Sequence, residues 1–92
     1  MRIIGYIEHP VLKITVFKMN NKISVKLESG LYEQTYKFRS GDQIQSVEDI
    51  KAVVDAELLT QVQQGLQQMH QHKLEAIGRN IEESEEEFEE II

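Results

Sequence analysis

The 92-residue chain has no cysteine, no tryptophan and a single proline. Without cysteine there can be no disulfide, no thiolate nucleophile and no cysteine-based zinc site. No apolar run is long enough to cross a membrane, and MRIIGYIEHP is too short and too soon charged for a signal peptide. A cytoplasmic location without membrane attachment is therefore expected. Also missing are the phosphate-cradling GxxxxGK(S/T), the dinucleotide-binding GxGxxG, the nucleophile-bearing GxSxG and the zinc-binding HExxH. No group of residues combines a nucleophile, a base and an orienting partner. These absences leave no ground to expect an enzyme, a cofactor or an identifiable small-molecule ligand.

A chain of this length makes one domain, near the lower limit for burying its own core. Its net charge of −6 is unevenly spread. Residues 1–41 hold seven Lys/Arg and three acids, residues 42–80 three and six, and residues 81–92 seven Glu and no base. The segments thus carry +4, −3 and −7: a basic N-terminal part, a mildly acidic middle and an acidic tail.

The basic part is organised around Val11 to Arg39, VLKITVFKMNNKISVKLESGLYEQTYKFR, which has the pattern of a three-stranded antiparallel meander. Asn20-Asn21 is a two-residue turn signal, since Asn tolerates positive φ. It sets Met19 against Lys22, Val16 against Val25 and Ile14 against Leu27. Ser29-Gly30 is the second turn signal, pairing Leu27 with Tyr32, Lys26 with Glu33 and Ser24 with Thr35. One face then collects Leu12, Ile14, Val16, Ile23, Val25, Leu27, Tyr32, Tyr36 and Phe38, interrupted only by Gln34. Val16, Val25, Leu27 and Tyr36 are expected to be buried together. Ile3 to Ile7 adds a short β run broken by Gly5, and His9-Pro10 ends it with a turn. Whether that run folds back as a hairpin or bends and continues is open.

Two helices follow the end of the sheet at Arg39-Ser40-Gly41-Asp42. Ser46 with Asp49 three residues on forms a capping pattern that opens a short helix over about 47–54. Asp55 caps a long one over 56–78, with Gly78 and Asn80 as stop signals. Leu59, Val62, Leu66, Met69, Lys73 and Ile77 form its stripe, with Leu58 and Leu74 at the margins. Gly65, inside the helix, costs about 1 kcal/mol against Ala and marks a bend or a close approach. A helix of about 35 Å overhangs a small sheet. The stripe of Leu59, Val62, Leu66 and Met69 is therefore expected to meet another copy, giving a homo-oligomer. Ile77, Ile81, Phe88 and Ile92 keep helical spacing, but seven Glu within 82–90 repel one another, so 81–92 is expected to be a disordered tail outside a domain of residues 1–80.

His70 and His72 point about 200° apart on a helix and cannot share an ion, so no metal site is expected. His70 falls in the apolar stripe, as a hydrogen-bonded core histidine would. On the outward sheet face Lys13, Lys22, Lys26, Lys37 and Arg39 surround Phe17. Lys13 and Lys26 face glutamates, which leaves Lys22, Lys37, Arg39 and Phe17 as a candidate nucleic-acid surface, unless a helix covers Phe17.

Ile23 to Leu31, ISVKLESGL, resembles the first motif of Sm-like and Hfq-like proteins, in which alternating apolar residues lead to a Leu, a small polar residue and a Gly; here these are Ile23, Val25, Leu27, Ser29 and Gly30. The resemblance implies a strongly bent, five-stranded small barrel that forms rings and binds RNA. The family's second glycine falls at Thr35, its second motif is missing, and the helices here follow the sheet. Its RNA-contacting residues carry over to no position. More loosely, residues 3–80 look like a group of short bacterial proteins, which implies no activity.

The expected architecture is α+β, a small bent antiparallel sheet of Sm-like or small-barrel type over residues 2–39 followed by a short and a long helix. The expected role is a non-catalytic homo-oligomeric interaction module, with Sm-like RNA binding on the basic sheet face as the alternative.

Overall fold

The computed structural model describes residues 1–39 and 42–91, the side chains of 82–91 excepted. Strands β1 (Arg2–Ile7), β2 (Lys13–Met19), β3 (Lys22–Ser29) and β4 (Tyr32–Phe38) are followed by helices α1 (Val47–Val53) and α2 (Ala56–Ile91). The strands form one antiparallel sheet in chain order, so the fold is α+β. That sheet is open, with β1 and β4 at its edges, and does not close into a small barrel.

Asn20 and Asn21 take φ of 50° and 65°, the two left-handed residues of a type I′ turn. The β2–β3 register is the expected one, with Met19 opposite Lys22, Val16 opposite Val25 and Ile14 opposite Leu27. The next turn differs. Gly30 and Leu31 form it, with Gly30 at φ 61°, and Ser29 pairs with Tyr32. Glycine at the first central position is what a type II′ turn prefers. Relative to the expected Ser29-Gly30 turn, β4 is displaced by two residues, so Leu27 faces Gln34 and Lys26 faces Thr35. A shift of two leaves every side chain on its expected face. The Lys26 ammonium still lies 3.7 Å from Glu28 and 3.9 Å from Glu33, the latter now a diagonal neighbour.

β1 folds back on β2 as a hairpin whose register shifts between Ile3 and Gly5. The connecting turn is held by His9, whose Nδ1 accepts from the backbone N–H of Val11 and Leu12 at 3.1 and 3.0 Å. Gly5 lies under α1: a Cβ there would stand 3.0 Å from a methyl of Val47.

Both helices start on the expected caps. Ser46 Oγ accepts from Asp49 N at 3.2 Å, and Asp55 Oδ1 from Leu58 N at 2.8 Å. They cover one sheet face. Leu12, Ile14, Val16, Ile23, Val25 and Leu27 are buried there under Ile50, Val54, Val62 and Leu66. Burial of each such side chain contributes about 1.5–3 kcal/mol. Tyr36, expected in this core, is 37% exposed: β4 is an edge strand, and the hydrogen bonds that tie α2 to it are made at Tyr32 and Gln34. Its hydroxyl instead donates to Gln34 Oε1 at 2.9 Å.

α2 does not stop at 78. Gly78 lacks the left-handed conformation of a C-terminal cap, and helical backbone continues through the acidic segment to Ile91. Ser40, Gly41 and Ile92, which belong to the expected end of the sheet and of the tail, lie outside the described residues.

Candidate functional site

Two surfaces are left without cover. The first is the outer face of the sheet. Cross-strand pairing sets Ile3, Phe17, Ser24 and Lys37 in one row, and Tyr6, Thr15, Lys26 and Thr35 in the next. Met19 and Lys22 end the sheet at the Asn20-Asn21 turn, and alternation along β4 puts Arg39 on this same side. Neither helix reaches Phe17, which is half-buried among its strand neighbours, with the Lys26 ammonium 5.5 Å from its ring centre. A cavity of about 310 Å³ lies over this area, lined by Phe17, Met19, Lys22, Thr35 and Lys37 among others. Lys22, Lys37 and Arg39 are exposed, and among the described residues none of them is ion-paired. The four residues singled out from the sequence thus share one open, cationic face.

The second surface is α2 itself. Of the four expected interface residues, Val62 and Leu66 belong to the chain's own core, Leu59 is half-buried against it, and only Met69 is exposed. The reason is where the sheet sits along the helix. It covers the N-terminal part, so the overhang begins past Leu66, about two turns later than a stripe starting at Leu59 suggested. Every described residue of α2 past Leu66 is exposed. Within that stretch Leu74, Ile77 and Ile81 remain 55%, 43% and 50% exposed.

Between the two parts of the helix lies a cluster that the sequence pattern did not disclose. The Tyr32 hydroxyl is 2.7 Å from His70 Nδ1, the two rings meet edge to face, and the Lys73 ammonium stands 5.4 Å from the Tyr32 ring centre. His70 is therefore an exposed partner of β4 and not a core histidine. A groove of about 460 Å³ beside it is lined by Val11, Ser29, Tyr32, Gln67 and His70 among others. The contact joins residues 38 apart in the chain, which periodicity within one element cannot reveal.

Among the described residues no three His, Asp or Glu side chains are gathered to hold a metal ion, and no helix is long and apolar enough to cross a membrane. No protein-family model, curated protein or solved structure matches this chain.

Proposed function

We propose that this chain is a non-catalytic interaction module that assembles with copies of itself through the distal half of α2. The observation that carries this reading is the exposure of Leu74, Ile77 and Ile81 on a helix that outruns its sheet. Their spacing of three and then four residues is that of a helix-pairing seam. Each of these side chains is about half exposed, so covering it contributes roughly half of the 1.5–3 kcal/mol of full burial, which still matters to a domain this small. A cytoplasmic setting goes with this reading, since nothing in the fold relies on disulfides.

Light scattering coupled to gel filtration tests it. At tens of micromolar the mass should be a multiple of the 10.7 kDa chain, and a clean monomer ends the reading.

A second reading is favoured by the open sheet face. Phe17 offers a stacking surface flanked by Lys22, Lys37 and Arg39, the pattern of a single-stranded nucleic-acid groove. The Sm-like resemblance at Ile23 to Leu31 belongs with it, although an open four-stranded sheet departs from the family's barrel. The acidic segment would compete for the same lysines, so the sensitive probe is a chain truncated after Asn80, titrated into a labelled oligonucleotide at low salt. On the first reading neither form binds. Binding by the truncated chain, lost in Lys22→Glu with Lys37→Glu, establishes the second.

A further inference from the structure

We infer that two copies of the chain pair antiparallel along the distal halves of their α2 helices, so that the acidic end of each lies beside the Tyr32–His70–Lys73 cluster of the other; this rests on the self-association proposed above and assigns its geometry.

The line of contact comes from the register. Leu74, Ile77 and Ile81 occupy alternate a and d positions of a heptad. Counted back by four and then three, the same line passes through His70 and Gln67, which wall the groove beside Val11 and Tyr32. Counted forward, it passes through Ser84, Phe88 and Ile91 in the sequence. Exposed stripe and groove therefore form one continuous track along the helix.

The direction comes from charge. In a parallel, in-register pair, residues 82–90 with seven Glu would lie beside an identical segment, with helix axes 8–10 Å apart. Like charges that close repel. Antiparallel pairing centred near residue 79 removes the conflict. Ile77 of each copy then meets Ile81 of the other, and residues 82–90 run beside 68–76. That stretch holds one lysine, one glutamate and two histidines. The acidic end thus moves from a segment of −7 to one of no net charge that presents Lys73.

Shape agrees with charge. A parallel pair brings both sheets to the same end, where Val11 and Ser29 already stand beside the track. The antiparallel pair puts the sheets at opposite ends. It also brings residue 91 of one copy level with Gln67 of the other, alongside the groove.

The absence of cysteine makes the test clean. In the proposed pair Leu74 is level with Ser84 of the other copy, while the two Leu74 residues stand ten residues apart along the axis, about 15 Å. A disulfide needs Cα atoms about 4.4–6.8 Å apart. Equal amounts of Leu74→Cys and Ser84→Cys, mixed under reducing conditions and then oxidised, should give the mixed disulfide in about tenfold excess over either homodisulfide. Mass spectrometry tells the three products apart, and light scattering on the reduced variants and on the unmodified chain gives the assembly state. If the unmodified chain is a dimer and Leu74→Cys instead links readily to itself, the pair is parallel and the inference falls, while self-association stands. If the unmodified chain is a monomer, both fall.

Discussion

The side chain of Gln34 occupies the space that a Cβ on Gly65 would need. A Cβ built there would stand 2.5 Å from Gln34 Nε2, which donates to the Val62 carbonyl at 3.1 Å. The one polar residue on the inward face of β4 and the one glycine in the first half of α2 are thus halves of a single contact. Together they fix how closely strand and helix approach.

That contact predicts a coupling. Gly65→Ala normally stabilises a helix by about 1 kcal/mol. Here the amide must swing away and give up a hydrogen bond worth about 0.5–1.5 kcal/mol, so the substitution should be near neutral in the natural chain. In a Gln34→Ala background it should recover the full gain of about 1 kcal/mol. A double-mutant cycle by urea unfolding measures the difference, and additive effects would contradict the coupling.

Leu27 is fully buried at the centre of the sheet, beneath the helices. Leu27→Ala should cost about 2–5 kcal/mol, a large fraction of the stability of a domain this size. The expected result is a strongly lowered denaturation midpoint or outright unfolding by circular dichroism. An unchanged midpoint would mean that the helices do not cover this face.

Among the described residues, the buried cluster uses none of α2 beyond Leu66. Truncation after Asn80 should therefore leave a folded domain whose midpoint, measured at concentrations where both forms are monomeric, matches that of the full chain. Self-association should be weakened by at least tenfold, since Ile81 and the acidic partner segment are both gone. A truncated chain that fails to fold would show that the distal helix is part of the monomer's core.

How much of this was legible in the sequence depended on which property encoded it. The β2–β3 register could be read because two adjacent asparagines admit one turn geometry. The β3–β4 register was misplaced by two, since a shift of two preserves the face of every residue and only the turn type tells Ser29-Gly30 from Gly30-Leu31. The caps at Ser46 and Asp55 are local and were plain. The overhang of α2 was foreseeable from its length, but the side chains left free were not. Periodicity marks a stripe without saying where along it the sheet ends, so Val62 and Leu66 looked as available as Leu74 and Ile81. Gln34 and Gly65 each stood out as an irregularity, and only the fold brings them together.

The register break between Ile3 and Gly5 has a bearing on aggregation. An irregular step bends an edge strand and interrupts its row of hydrogen-bonding groups, so an incoming strand meets no straight template at β1. The opposite edge, β4, has an unbroken register with its neighbour. A sheet able to accept a strand on one side only can add a single neighbour there but cannot grow from both ends into a fibril. The irregular step at Gly5 thus guards one edge of a sheet whose chain keeps several apolar side chains in contact with water.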